Sequence, residues 1–310
     1  MSRHKRGNPI HGWLVLDKPQ GMTSTQAVGL VKRLFRAQKA GHAGTLDPLA
    51  TGVLPIALGE ATKTVPVVMD GFKAYRFTVR WGAETTTDDA EGQVVRTSDL
   101  RPTREQIEGL LPRFTGLIEQ IPPDFSAVKV EGERAYDLAR EGEVLDLAAR
   151  PVVVERLHLV DSPDAETTVL EADCGKGTYV RALARDLGRA LGCFGHVIAL
   201  RRTEVGPFTE ADAVGPDRVR ALAEADAESA VTLLSTLLPI EAALEDILAV
   251  PVSSADAARL GRGQPVLLRG RDATIVSGPA YAVSRGRVVA MGEIEKGQLR
   301  PTRVFNWGEA

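Results

Sequence analysis

The chain is poor in cysteine and aromatic residues and lacks a long hydrophobic run. Its 310 residues include two cysteines, Cys174 and Cys193, and neither belongs to a Cys-x-x-Cys pair. This usage argues against a zinc site and a disulfide framework, and it is typical of a reducing compartment. The most apolar late stretch, residues 230–240, is too short and interrupted to span a bilayer. We therefore expect a cytoplasmic protein without a metal site or a membrane segment.

A net positive charge, the usual mark of a nucleic-acid-binding protein, is also missing. The formal net charge is −3 and the isoelectric point is near 6.0. The charge is unevenly distributed, however, with +7 over residues 1–40, −6 over residues 211–250 and +4 over residues 251–310. Two basic ends around an acidic middle favour a polyanion that binds across both ends.

Residues 41–55, with the sequence GHAGTLDPLATGVLP, hold a single acid among three glycines and two prolines. Pro48 disfavours helical geometry at Asp47, so this carboxylate should project from a loop before the strand predicted at residues 53–58. One interpretation is a structural Asx turn. The other is a catalytic carboxylate beside His42, and these residues alone leave both open.

The string GHAGTLDPLATG at residues 41–52 resembles the signature motif of the TruB-type pseudouridine synthases, which modify the T-loop uridine of tRNA. Further strings resemble blocks of that family and occur in the family's order: DKP at 17–19, GMTS at 21–24, GEATK at 59–63, KGTYVR at 176–181 and HVIALRR at 196–202. The resemblance covers nearly the whole chain. It implies an α/β (α+β) catalytic domain on a mixed, largely antiparallel sheet, followed by a small β-barrel-like PUA domain that binds RNA.

The resemblance also implies roles for individual residues. Asp47 matches the catalytic aspartate, and Arg181 matches the arginine that pairs with it. Four further residues match positions near the flipped base: His42, Tyr75, Tyr179 and Leu200. An aromatic ring stacked on an extruded base contributes about 1–3 kcal/mol. Without the resemblance, Tyr75 in an alternating strand indicates a core residue and Arg181 on a helix indicates a surface charge.

Pseudouridine formation breaks the ribose–base C–N bond and rejoins the base through C5, so it requires neither a redox cofactor nor ATP. It requires an ionised carboxylate and a dry pocket for an extruded base. Asp47 can attack the ribose, attack the uracil or remove a proton. A guanidinium beside it would favour its charged form.

We expect a catalytic domain over 1–247, with a thumb-like insertion at about 122–150, and a PUA-like domain over 248–310. The expected partner is the T-arm stem-loop of tRNA, bound by a monomer without a guide RNA. The family usually carries Asp where this chain has Thr86, so a contact that needs this carboxylate is not carried over to this chain.

Three alternatives compete with this interpretation. A tRNA-binding or folding factor would explain the basic ends but gives no purpose to the matched site residues taken together. A guide-RNA-dependent relative of the dyskerin group shares the aspartate motif, but the insertion resembles that of the stand-alone enzymes. A glycoside hydrolase would need a second carboxylate opposite Asp47, and the sequence indicates none.

Overall fold

The computed structural model describes residues 7–126, 128–130, 133–135, 138, 146–224, 233–268 and 276–307. The strands are β1 Gly12–Lys18, β2 Ala40–His42, β3 Thr51–Leu58, β4 Lys73–Trp81, β5 Ala83–Thr85, β6 Val94–Thr97, β7 Gly116–Gln120, β8 Lys129–Val130, β9 Glu133–Arg134, β10 Arg150–Asp161, β11 Thr167–Cys174, β12 Gly195–Val205, β13 Phe208–Thr209, β14 Leu248–Pro251, β15 Val266–Leu267, β16 Gly278–Ser284, β17 Arg287–Glu295 and β18 Gln298–Val304. The α-helices are α1 Ser24–Leu34, α2 Val65–Asp70, α3 Arg104–Leu110, α4 Val180–Ala190, α5 Pro216–Glu224 and α6 Ser254–Gly261.

A nine-stranded sheet forms the larger part of the fold. Its main path runs β1-β3-β12-β4-β11-β10-β7, with β2 added beside β3 and β13 beside β12. All of these pairs are antiparallel except β3 with β12, which run parallel where Thr51 faces Arg201 and Gly52 faces Arg202. The sheet is therefore mixed and largely antiparallel, as the sequence predicts.

Strands β1 and β3, at one end of the sheet, are buried on both faces. Along β1, Leu14 and Leu16 pack into one cluster with α1 and α4, while Trp13 and Val15 pack into a second cluster on the opposite face. Side chains alternate across a strand, so an uninterrupted apolar run indicates a strand buried on both sides. The second cluster also contains residues of β16 and β17, so the C-terminal sheet covers this face.

Local signals start the helices that matter for the site. Thr23 caps α1 in a capping box with Gln26, in which each side chain bonds the other residue's backbone N–H. The first residue of α4, Val180, follows Tyr179, whose backbone is extended. One face of α4 is apolar and lies in the core.

Between β7 and β10 the chain leaves the sheet. The two strands pair directly, with Gln120 opposite Arg150, so residues 121–149 form an excursion from adjacent strands. Among its described residues, β8 and β9 form a short hairpin, and Val128 packs beside Tyr179. This segment contains the region expected to be thumb-like.

The C-terminal part folds as a separate five-stranded sheet in the order β14-β16-β17-β18-β15, and α6 packs on it. Two sheets of these sizes confirm the predicted fold class, a mixed α/β unit with a small β unit after it. Within the described residues, no helix has the length and apolar character needed to cross a membrane.

Candidate active site

Asp47 lies in the loop between β2 and β3, and the backbone of this loop is fixed from several sides. The hydroxyl of Ser24, at the start of α1, donates to the Leu46 carbonyl (3.0 Å) and accepts from the Leu46 N–H (2.8 Å). The Asp47 carbonyl accepts from the Ala50 N–H at 3.1 Å and closes a turn. The Asp47 side chain remains 38% exposed, so it is held by its backbone and still open to a ligand.

Arg202 fixes the same loop from within the protein. Its guanidinium is fully buried and donates to the carbonyls of Val53 (2.9 Å), Gly44 (3.1 Å) and Thr45 (3.3 Å). These carbonyls lie on both sides of Asp47 in the chain. Arg202 thus joins the two ends of the Asp47 loop to β12.

Glycine is required where this loop meets β12. Gly52 has φ of +98°, and a Cβ there would lie 2.2 Å from the carbonyl oxygen of Arg202. A side chain would therefore separate β3 from β12 in addition to straining the backbone. The close approach keeps Arg202 within reach of the loop.

The Asp47 carboxylate receives a hydrogen bond from the Arg181 Nε at 2.9 Å. The Arg181 side chain is only 5% exposed, and its other nitrogens donate to the carbonyls of Thr87 and Phe125, each at 2.9 Å. Arg181 therefore lies among the loop, the turn after β5 and the start of the excursion. The interpretation of a surface helix charge is wrong, because a buried arginine needs such partners.

A second carboxylate lies close to this pair. The Asp89 Oδ2 is 3.7 Å from the Arg181 Nε, and the other Asp89 oxygen accepts from the Thr87 hydroxyl (2.5 Å) and the Glu91 N–H (3.0 Å). Asp89 is buried. One arginine is thus shared by two acids, of which Asp47 is the more exposed.

The acid next to Asp89 in the chain, Asp88, is also paired with an arginine. Asp88 accepts from Arg185 at 3.0 Å, one turn along α4 from Arg181. Burial raises the pKa of Asp88 to about 6, against the opposing effect of Arg185. The described residues contain no group of three or more His, Cys, Asp or Glu side chains arranged to hold a metal ion.

Two family models match most of the chain. The model described as the N-terminal domain of TruB family pseudouridylate synthases matches residues 32–180, and that of the tRNA pseudouridylate synthase B C-terminal domain matches residues 181–245. The chain belongs to the TruB family of pseudouridylate synthases.

Curated relatives support the same membership. A tRNA pseudouridine synthase B from Bradyrhizobium diazoefficiens is 64% identical over 297 residues, covering 96% of this chain and 86% of that protein. The protein of the same name from Rhodopseudomonas palustris is 63% identical and covers 96% and 81%. These relatives span nearly the full chain.

Solved structures share the fold. A chain of a Cbf5-Nop10-Gar1 complex superposes with a TM-score of 0.70 at 25% identity, covering 95% of this chain and 84% of that chain. A chain of an H/ACA RNP bound to a substrate RNA containing 2′-deoxyuridine gives 0.72 at 22% identity, covering 100% and 93%.

Tyr75 and Leu200, which the TruB resemblance assigns to the substrate pocket, lie on neighbouring strands. Tyr75 of β4 faces Arg202 of β12, and Leu200 faces Phe77. Tyr75 therefore lies beside Arg202, and burial raises the pKa of its phenol, which is neutral at neutral pH. Arg202 therefore connects Tyr75 to the Asp47 loop.

His42 ends β2, opposite Ile56. Its Nδ1 is buried and has no hydrogen-bond partner among the described residues. Burial and the Arg202 charge lower the pKa of His42, which makes the ring neutral at physiological pH. A neutral aromatic ring at the start of the loop suits stacking better than anion binding.

Tyr179 is positioned by a separate set of contacts. The buried Gln120 side chain accepts from the Tyr179 N–H (2.8 Å) and donates to the Tyr179 carbonyl (3.2 Å). The ring packs against Val128, Ala135 and Leu147 of the excursion. Tyr179 thus lies between α4 and the excursion, two residues before Arg181.

Three residues of the site were not singled out from the sequence: Lys18, Asp89 and Arg202. Lys18 is buried and donates to the carbonyls of Met22 (2.7 Å) and Pro48 (3.4 Å). Burial lowers the pKa of Lys18 to about 8, although the nearby charge of Asp47 opposes this. For Lys18 and Arg202 the available signal was membership of the DKP and HVIALRR blocks, which did not distinguish them from their neighbours, and Asp89 lies in none of the matched strings.

Thr86 lies at the exposed end of the turn after β5. Its hydroxyl accepts from the Gln93 N–H at 3.1 Å and so bonds within the turn. The neighbouring acids Asp88 and Asp89 supply the carboxylates that meet α4. The contacts between this turn and the helix therefore do not depend on an acid at position 86.

Proposed function

We propose that this chain isomerises uridine-55 in the T-loop of tRNA to pseudouridine and that Asp47 is its catalytic residue. The observation that carries the proposal is the ion pair of a half-exposed Asp47 with a buried Arg181. It is supported by the TruB family models and by the high identity to proteins named tRNA pseudouridine synthase B.

The charges around Asp47 suit a reaction that needs an ionised carboxylate. Arg181 and the buried Lys18 both place positive charge near it, which stabilises the anion. Arg181 is held by two carbonyls as well as by Asp47, so it aims the carboxylate without needing to move. No cofactor takes part in the proposed reaction.

The substrate contacts in this proposal are His42, Tyr75, Tyr179, Arg181 and Leu200. Extruding a base costs a few kcal/mol, least where the base is already in a loop. We infer that the ring of Tyr75 stacks on the extruded uracil, that Leu200 contributes an apolar wall and that His42 contacts the RNA beside it. A T-loop uridine meets the energetic requirement better than a base within a stem.

The domain division is part of the proposal. We assign residues 1–247 to catalysis, 248–310 to a PUA-like RNA-binding domain and about 122–150 to a thumb-like insertion over the T-arm. The fold with its small C-terminal sheet supports this division. We further propose that the enzyme acts as a monomer in the cytoplasm and without a guide RNA.

Release of tritium from C5 of the target uridine tests the proposal. The substrate is a T-arm stem-loop labelled at that carbon, and the assay contains chelator and no nucleotide. We expect wild type to release tritium and Asp47→Asn to release none, because C5 loses its hydrogen only when it bonds to the ribose. Asp99→Asn, on an exposed loop, is the matched control and should behave as wild type.

The competing function is a tRNA-binding or folding factor. It predicts tight stem-loop binding by wild type and Asp47→Asn with tritium release by neither. Release by both proteins would remove Asp47 from the catalytic role. A stem-loop with cytidine at the target position should bind and yield no product.

A further inference from the structure

The outer side of α1 carries two adjacent open hollows that lie outside the group of predicted substrate contacts. The first hollow, of about 650 Å³, is lined by residues 19–22, Gln26, Leu30 and Arg220. The second, of about 360 Å³, is lined by Gly7, Lys32, Arg36 and Ala37. Gly29 and Arg33 line both hollows and form the ridge between them.

This surface is positively charged and lacks acidic side chains that would neutralise its charge. Its lining contains Lys32, Arg33, Arg36 and Arg220 and no acidic residue. Across the described residues, only Arg220 of these four forms an ion pair, with Asp217 at 2.7 Å. Arginines elsewhere in the fold, such as Arg189 and Arg201, are neutralised by nearby acids. Uncompensated charge along a groove favours a polyanion.

The exposed Gly29 is a second, independent observation that favours binding of a polyanion at this surface. It lies in the middle of α1 and is exposed, and a Cβ built on it would meet nothing within 4 Å. Glycine in a helix interior is unfavourable relative to alanine, and no neighbour in the described part of the chain requires it. The bare backbone on the ridge therefore leaves room for a chain that crosses from one hollow to the other.

Proximity connects this surface to the candidate active site. Gly21 lines the first hollow, and its N–H donates to the carbonyl of Pro48 at 2.8 Å. Pro48 directly follows Asp47. A nucleic acid whose loop reaches Asp47 would thus have an adjoining segment near the first hollow.

We propose that the two hollows and the Gly29–Arg33 ridge form a second RNA-binding surface, which takes the phosphodiester backbone of a duplex arm of the tRNA outside the modified loop. The inference rests on the proposed function, because it takes its ligand to be the same tRNA. Two basic hollows in series fit a chain of regularly spaced phosphates better than a single anion. Contacts of this kind orient an RNA without reading its sequence.

The alternative origin of the charge is the helix dipole. Lys32 and Arg33 lie in the last turn of α1 and so stabilise its C-terminus. Arg36, however, lies beyond the helix and has φ of +49°, and the dipole gives no role to an exposed Gly29. The two explanations differ in what they predict for RNA binding.

The first test measures the affinity for full-length tRNA over a series of KCl concentrations. Each phosphate of a duplex that a basic side chain neutralises contributes about 0.9 to the steepness of log K against log [KCl]. We expect Arg33→Gln with Arg36→Gln to reduce this steepness by about 2. The matched control replaces two exposed arginines on other elements, Arg80 and Arg113, and should leave the slope unchanged. Equal slopes for all three proteins, or an equal reduction in both variants, would overturn the proposal.

The second test uses two exposed glycines in helix interiors, Gly29 and Gly109, that have free space at Cβ. Gly29→Ala should raise Tm and weaken tRNA binding several-fold, because the added methyl group meets the RNA backbone. Gly109→Ala, on α3 with nothing within 4 Å, should raise Tm and leave binding unchanged. Wild-type affinity in Gly29→Ala would contradict a close approach of RNA to the ridge.

Turnover of the wild type separates the two proposals. Tritium release without a change of slope in the arginine variant would leave the proposed function intact and remove the second surface. A change of slope without tritium release by wild type would keep the surface and remove the enzymatic function.

Discussion

Arg202 is the residue on which the geometry of the Asp47 loop depends most. It joins the carbonyls of Gly44, Thr45 and Val53 through one buried guanidinium and lies beside Tyr75. A planar group with five fixed donors can meet several carbonyls at once, which a lysine ammonium cannot do at the same positions. We infer that Arg202 is a positioning residue for both Asp47 and Tyr75.

Arg202→Lys tests this role because it keeps the charge and removes the planar fork. Each buried carbonyl left without a donor costs about 1–3 kcal/mol, so we expect a lower Tm and kcat reduced at least about tenfold. The control Arg201→Lys changes a half-exposed neighbour that pairs with Asp17 and Glu210 and should have little effect. Wild-type kcat in Arg202→Lys would show that charge alone suffices.

Asp88 makes a prediction about pH. Its pKa is raised to about 6 from 3.8, so between these values the folded protein binds more protons at this group than the unfolded chain. The contribution of Asp88 to stability therefore falls as pH rises from about 4 to about 6. At 1.36 kcal/mol per pKa unit, the loss is on the order of 3 kcal/mol.

Asp88→Asn should remove this loss, since Arg185 keeps bonds to Asp186 and to the Ile121 carbonyl. Urea unfolding at pH 4.5 and pH 7 measures the difference between wild type and variant at each pH. We expect the free energy of unfolding of the variant, relative to that of wild type, to increase as pH rises. An equal difference at both pH values would mean that Asp88 titrates near its ordinary pKa.

At the scale of elements, the Gln120 side chain couples β7 to the start of α4. It makes two hydrogen bonds to the Tyr179 backbone and is 2% exposed. Gln106 does a comparable task on α3, where its side chain bonds the Thr103 N–H in a capping box. The two glutamines hold helix starts at different distances from the candidate site.

These two residues form a matched pair for mutation. Gln120→Leu leaves the Tyr179 N–H without its partner, while the Tyr179 carbonyl keeps its bond from the Leu183 N–H, and stability should fall by about 1–3 kcal/mol. If Tyr179 contacts the substrate, kcat/KM should also fall about tenfold. Gln106→Ala should cost about 1 kcal/mol through removal of the cap with unchanged kcat/KM. Loss of stability alone in Gln120→Leu would argue against a substrate role for Tyr179.

Elements with a regular pattern were predictable from the sequence. The alternation of Tyr75 to Trp81 and the apolar run before Lys18 both correspond to strands. The apolar run at residues 151–154 predicts a strand that ends at Val154, but β10 extends to Asp161, since register shifts after Val154 and after Leu159 interrupt the two-residue period. The composition of residues 211–250, rich in Ala, Leu, Asp and Glu, predicts helix, and in their described part α5 covers Pro216–Glu224 whereas β14 starts at Leu248.

The buried charges could not be predicted in the same way. Arg181, Arg202 and Lys18 carry charges that are normally exposed, and the two arginines are buried against partners far away in the sequence. Arg181 meets Asp47, 134 residues before it, and Arg202 meets Val53, 149 residues before it. Spacing along one chain does not show such pairs, so only the family resemblance pointed to Arg181.

At the scale of the whole molecule, the two sheets pack into one body. Tyr281, Val288 and Phe305 of the C-terminal part share a core with Trp13 and Phe208 of the large sheet. Polar contacts reinforce the junction, since the Lys63 ammonium donates to the Val304 carbonyl at 2.6 Å and the Asn306 N–H donates to Glu60 at 2.7 Å. The C-terminal sheet is therefore held in a fixed position relative to the large sheet.

At the Arg181–Asp47 pair, α4 meets the Asp47 loop, the turn after β5 and the excursion. The most direct measurement is the single-turnover rate of Arg181→Lys on tRNA, together with its tRNA affinity. Lysine keeps one positive charge and cannot bond Asp47, Thr87 and Phe125 in the geometry of Arg181. We predict that the rate falls by about 10²–10³, as for the loss of an oriented charged donor, and that affinity stays within about twofold. A rate near that of wild type, or a loss confined to affinity, would contradict the account.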